Sequence, residues 1–237
     1  MHRIEIEPHL AARLKRERGG RLYLTERLDG PRTAHVVIDL QNGFMEPGAP
    51  AEVPIAREIV PNVNAISDAV RRAGGTNLFV RFTTPPLEAW SSFYSRFPPE
   101  HRQAHRDAFV AGSHYWQLWP GLDIKGEDPI VEKGRFAAFI PGTSDLHEVL
   151  QARGIDTLII TGTVTNVCCE STARDAMQFN YKVIFVADGT AAFTDAEHNG
   201  TLNSLCALFA DVMSTEDVVA LLDGSTAAPA SAGGLAT

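Results

Sequence analysis

Cysteine is scarce in this chain: there are three among 237 residues, and two of them are adjacent. Adjacent cysteines do not readily pair with each other, so no disulfide framework is expected, and the thiols are left as core residues or nucleophiles. No apolar stretch approaches the roughly 18 residues that a membrane span needs. The first residues, Met1-His2-Arg3-Ile4-Glu5, lack the apolar centre of a signal peptide. Basic residues are outnumbered, with 21 Lys and Arg against 29 Asp and Glu for a formal charge of -8. They are dispersed except for Arg13 to Arg18, which reads as a solvated helix face, so the footprint of a nucleic-acid binder is missing. These absences predict a soluble, cytoplasmic protein with no nucleic acid or membrane among its partners.

What the chain does have is a core. Hydrophobic residues make up 44% of the sequence, enough for one α/β domain of this size. Residues 1–31 form an N-terminal extension in which Pro8 to Arg18 has the pattern of a short amphipathic helix, suited to covering an edge or a partner subunit. The domain proper spans 32–223. Its first strand is His35-Val36-Val37-Ile38, followed by a helix over Pro54 to Ala73 that Gly74-Gly75 stops, and by a strand over Thr76 to Phe82. An insertion of about 87–122, rich in aromatics, histidines and prolines, carries a short helix near Glu100 to Val110 and shapes a pocket.

From residue 128 the elements alternate regularly. Strands are expected at Ile130-Val131, Thr157 to Thr161, Lys182 to Ala187 and Val212-Met213, with helices over Ser144 to Arg153, Val167 to Asn180, Ala196 to Phe209 and Thr215 to Leu222. Such alternation predicts a three-layer α/β/α fold around a mostly parallel, doubly wound sheet. The tail, 224–237, is small and polar with one Leu, and reads as disordered.

Three polar residues fall at strand ends. Asp39 closes the first strand, Lys133 closes Ile130-Val131-Glu132, and Cys168 follows the apolar run Thr157 to Ile160 where it gives way to a helical pattern. In an open α/β sheet, ligands bind beyond the carboxyl ends of the strands. A helix N-terminus there can lower a thiol pKa from about 8.5 toward neutrality and can hold an oxyanion. An acid, a cation and a thiol so placed make a nucleophilic catalyst. Cys169 and Cys206 read as core residues. Around the three, Asn42, Arg81, Tyr115, Trp116, Phe136 and Phe139 are the candidate pocket residues, Arg81 to pair with a carboxylate and the aromatics to stack on a planar substrate, with core or interface packing as the alternative for the aromatics.

The segments Val37-Ile38-Asp39-Leu40-Gln41-Asn42-Gly43-Phe44, Lys133-Gly134-Arg135-Phe136-Ala137-Ala138-Phe139, and Gly162 through Ala176 with its Thr-Asn-Val-Cys-Cys-Glu-Ser-Thr-Ala-Arg-Asp-Ala wording resemble the isochorismatase-like cysteine hydrolase superfamily. The resemblance covers roughly 34–222. It implies a catalytic triad of Asp39, Lys133 and Cys168, a thioester intermediate, and an oxyanion hole from the backbone N–H groups of Val164 and Cys168, the first turned inward by a cis peptide expected between Val164 and Thr165. It also implies a homo-oligomer, dimer or tetramer.

Nicotinamidases of this superfamily carry metal ligands in a His-Pro-x-x-His motif soon after the catalytic Asp. Here Met45 to Arg57 contains no histidine, and His101 with His105 is the nearest approach to a ligand pair. No metal or other cofactor is therefore expected. The wording around Cys168, and Gly112-Ser113-His114-Tyr115-Trp116-Gln117-Leu118, look most like ureidoacrylate and carbamoyl amidohydrolases, which implies a small amide or ureido substrate. Two alternatives remain open: an isochorismatase-type hydrolase without covalent catalysis, and a catalytically silent binding module.

Overall fold

The computed structural model describes residues 1–226. Six strands form one all-parallel sheet: β1 (Thr33–Ile38), β2 (Thr76–Phe82), β3 (Ile130–Lys133), β4 (Thr157–Thr163), β5 (Lys182–Ala191) and β6 (Asp211–Met213), in the order β3-β2-β1-β4-β5-β6. The order reverses at β1. Chain leaving β1 and β4 therefore diverges, and a crevice opens between their carboxyl ends.

The sequence dictates this layering because β1 and β4 are buried along their whole length, as central parallel strands must be. Alternate side chains serve opposite faces. Ala34, Val36, Ile38, Leu158, Ile160 and Phe185 share one core with helices α6 (Leu146–Ala152), α7 (Glu170–Gln178) and α8 (Asp195–Leu208). Ile159, Ile184, Val186 and Met213 face the other way, against α3 (Val60–Arg72) and α9 (Thr215–Thr226). At the edge, β3 alternates: Ile130 and Glu132 are exposed while Val131 and Lys133 are buried.

One glycine is required where the two central strands meet. Gly162 adopts φ 119°, and a Cβ there would lie 2.0 Å from the Ile38 carbonyl oxygen. The β4–β5 register slips between Ile160 and Gly162, which lets β4 and β5 both run on past the expected ends at Thr161 and Ala187.

Several boundaries differ from the periodicity. The expected helix over Pro54 to Ala73 splits into a single tight turn, Pro54–Arg57, and α3, because Pro61 lacks an amide hydrogen and fits only a first turn. Between β2 and β3 the insertion forms two short helices, α4 (Ser91–Tyr94) and α5 (Pro99–Ala108), and α2 (Asn42–Met45) follows β1.

In the N-terminal extension, α1 (Pro8–Glu17) packs Leu14 into the main core. Beyond it, the Leu24 and Thr25 amides donate to the Asp211 carboxylate at the start of β6, at 2.9 and 2.7 Å. The extension is thus tied to the start of β6 in its own chain. The expected disordered tail, 224–237, begins inside α9, which continues through Thr226; the remainder lies outside the described residues.

Candidate active site

Asp39 follows β1 with φ 53°, a left-handed conformation that Asp tolerates better than most residues. The twist aims its carboxylate back across the strand ends. Lys133 Nζ lies 2.7 Å from Asp39 Oδ2, and neither side chain is exposed at all. The ammonium also donates to the Arg135 carbonyl at 3.0 Å and lies 5.3 Å from the Phe82 ring centroid. Gln41 braces this end of the sheet: its Nε2 donates to the carbonyls of Phe82 and Trp116 at 2.9 and 3.0 Å, and its Oε1 accepts from the Phe82 amide at 2.7 Å.

Cys168 arrives from β4 by a different route than the sequence suggested. The cis peptide is Thr163–Val164, one bond earlier than the Val164–Thr165 position expected, because β4 runs to Thr163 and the first bond out of the strand falls there. Residues Thr165–Cys169 then wind as one wide turn, with the Cys169 and Val167 amides both donating to the Val164 carbonyl, at 3.2 and 3.0 Å. Wide turns of this kind recur at functional sites. α7 begins only at Glu170, so Cys168 sits in the turn ahead of the helix and not in its first turn. Thr165 Oγ1 lies 3.0 Å from Nδ1 of His198 on α8, whose ring stacks on that of His2. Neither contact has a signal in the sequence.

The Cys168 thiol is within hydrogen-bonding reach of both Asp39 and Lys133. Burial pushes its pKa up to about 12, with Asp39 adding to the rise and Lys133 opposing it. A helix N-terminus was expected to favour the thiolate; Cys168 stands ahead of that helix, and desolvation dominates. Burial likewise raises the Asp39 carboxyl above its ordinary range, against the pull of Lys133. For Lys133, burial works against the charge, but the Asp39 carboxylate and the Cys168 sulfur beside it hold the pKa above normal. Burial thus favours the uncharged thiol, while Asp39 and Lys133 each favour the other's charge.

The thiol opens into a cavity of about 500 Å³. Val164 and Cys168 stand together in its wall, as do the rings of Phe44, Phe82, Phe93, Phe97, Phe136 and Phe193. Of the candidate pocket residues only Phe136 lines it. Arg81 and Phe82 are consecutive on β2 and point to opposite faces. Arg81 therefore turns away, to Glu132 at 3.1 Å and over the Trp116 ring at 3.3 Å. Trp116 is held behind the wall, its indole N–H donating to Thr83 Oγ1 at 2.8 Å. Tyr115 packs behind Phe44 and Phe109, and Asn42 donates to the His114 carbonyl at 3.1 Å. Phe139 lies in the core against Phe179 and Tyr181.

His101 and His105 do reach the cavity, with rings stacked on Phe97 at 5.2 and 6.4 Å between centroids. Among the described residues, no three His, Cys, Asp or Glu side chains are grouped to hold a metal. The donor set does not fit the metal site of the nicotinamidase pattern.

An isochorismatase domain model matches residues 33–217. The N-carbamoylsarcosine amidase of Arthrobacter sp. is 31% identical, over 92% of this chain and 84% of its own length. The ureidoacrylate amidohydrolase RutB of Pseudomonas savastanoi pv. phaseolicola is 30% identical, over 81% of this chain and 84% of its own. A crystal structure of a cysteine hydrolase from Pseudomonas syringae pv. phaseolicola matches with a TM-score of 0.77 at 27% identity, covering 85% of this chain and 97% of that one.

Proposed function

Because this chain belongs to the isochorismatase family, we propose that it hydrolyses an amide-type C–N bond of a small molecule through a thioester on Cys168. The observation that carries the reading is the Lys133–Asp39 pair, 2.7 Å apart at zero exposure, beside a thiol that faces a largely apolar cavity. Relatives named for carbamoylsarcosine and ureidoacrylate support the bond class.

The steps follow from the charges. Cys168 rests as a thiol, so attack on the carbonyl carbon requires its proton to move to Asp39 as the S–C bond forms. The raised Asp39 pKa makes the carboxylate a better acceptor than an exposed one, and Lys133 keeps its ammonium to stabilise the charge developing on sulfur. The carbonyl oxygen becomes an oxyanion that the backbone N–H groups of Val164 and Cys168 would hold. Asp39 then passes its proton to the departing nitrogen as the C–N bond breaks. It next takes a proton from water, whose hydroxide attacks the thioester, and returns that proton to sulfur.

We further read the protein as a cytoplasmic homo-oligomer, a dimer or tetramer. Met177 and Phe179, 42% and 44% exposed near the end of α7, are apolar side chains that such an assembly would cover. The test of the chemistry is Cys168→Ala. Ammonia release across simple amides, ureides and carbamoyl compounds should vanish in the variant while ligand binding persists, and quenched wild-type protein should carry an acyl mass adduct on Cys168. Turnover retained without Cys168 would overturn the covalent route.

A further inference from the structure

Four cations near the cavity are engaged elsewhere. Arg81 is bound to Glu132 and stacked on Trp116. Arg57 pairs with Glu52 at 2.9 Å and donates to the Met45 carbonyl. Arg135 donates to the Gly134 and Ala89 carbonyls and lies over Trp90. Lys133 is committed to Asp39. Among the described residues, none of these four side chains lines the cavity wall. What does line it, besides the six phenylalanines, is alanine, proline, two valines, two imidazoles and one carboxylate, Glu52.

The polar members of that wall do not welcome an anion. Glu52 is kept ionised by the Gly48 amide, which donates to it at 2.7 Å, and by Arg57. Burial lowers the His105 pKa to about 4, so its ring is neutral at physiological pH. His101 stacks face to face on Phe97, with only 8° between the planes. A carboxylate drawn into this space would lose its water and gain no fixed positive partner. An aromatic body would instead meet ring edges and faces on several sides. The volume, about 500 Å³, lies within the range of roughly 300–1,000 Å³ that holds drug-sized ligands.

The geometry points to a substrate that is a carboxylate-free amide with a bulky aromatic body, in contrast to the small acid-bearing ureides suggested by the wording of the sequence motifs. This assignment rests on the amide-hydrolysis reading above. The six rings select the body, the wall offers no lysine or arginine to an acidic tail, and the amide carbonyl reaches Cys168.

The test is a matched pair, 3-phenylpropanamide and its para-carboxylated analogue, at pH 7.5 with the full chain. Binding is measured calorimetrically on Cys168→Ala, and ammonia release on the intact protein. The neutral amide should bind at least tenfold more tightly and show a kcat/KM at least tenfold higher. Equal or tighter binding of the carboxylated analogue, or no binding of either compound, overturns the assignment. If the neutral amide binds the variant but the intact protein releases no ammonia, the hydrolase reading falls and the ligand preference stands. A second variant, Phe193→Arg, replaces a side chain that is 53% exposed and so tolerates the change. It should narrow the gap between the two compounds at least threefold, and an unchanged gap also overturns the assignment.

Discussion

Lys133 Nζ and Asp39 Oδ2 meet at 2.7 Å although β2 and its long following connection lie between them in the chain, and the contact is sealed from water. A pair of this kind is held by mutual need: each charge is costly to bury alone. Lys133→Met should therefore destabilise the fold by about 3–5 kcal/mol, because it strands the Asp39 carboxylate. Adding Asp39→Asn to that variant should restore a large part of the loss. Urea denaturation of the two single variants and the double variant measures this, and purely additive losses would refute the coupling.

In the proposed mechanism Asp39 must be ionised to take the thiol proton, and burial raises its pKa. The acid limb of kcat/KM should accordingly lie above the ordinary aspartate value of about 3.9. Activity falls as pH drops through the raised pKa. A profile that stays flat down to pH 4 would contradict the role assigned to Asp39.

Two buried histidines, His35 and His198, and the half-buried His105 make the fold sensitive to mild acid. Burial lowers His35 to about 3 and His105 and His198 to about 4. An unfolded histidine takes a proton below about 6.5, so between that pH and the folded value the unfolded state holds more protons, and stability is lost as pH falls. Each group contributes a slope of about 1.4 kcal/mol per pH unit. Asp39 and Asp175, whose carboxyls burial raises, act in the opposite direction, so the net slope is smaller. His35, fixed between Ser67 Oγ at 3.2 Å and Thr161 Oγ1 at 2.8 Å, is far from the thiol chemistry and isolates the effect. His35→Gln should lower stability at pH 7 yet lose about 2–3 kcal/mol less than wild type between pH 6.5 and 4.5. Parallel curves would refute this.

Gly162→Ala places a Cβ 2.0 Å from the Ile38 carbonyl oxygen on a residue with φ 119°. β1 and β4 must part at the crevice. A loss of about 3 kcal/mol or more is expected from combined strain and clash, together with activity, read by thermal unfolding and ammonia release. A variant as stable as wild type would mean that the strands separate there without cost.

The sheet and the three polar residues were legible because strand ends are set by hydrophobic runs, and a parallel sheet brings its carboxyl ends to one edge. The cavity wall was not. Phe44, Phe93, Phe97 and Phe193 belong to turns and short helices with no period to say which way a ring points. Arg81 was misread for a related reason: on β2 its charge invited a ligand, but Phe82 occupies the inward face and leaves Arg81 the other. The one-bond error in the cis peptide came from β4 continuing past its apolar run through Gly162 and Thr163, which pair with Thr190 and Ala191 on β5 after the register slip. The His198–Thr165 contact joins α8 to the thiol-bearing turn across distant sequence, and neither residue type announces it.

The division of labour between sheet and insertion has a practical consequence. Asp39, Lys133 and Cys168 hang from strand termini, whereas Phe93, Phe97, His101 and His105 come from α4, α5 and the loop joining them, which lie outside the sheet. Grafting a different 88–109 segment would therefore reshape the space a ligand meets while Asp39, Lys133 and Cys168 stay where they are.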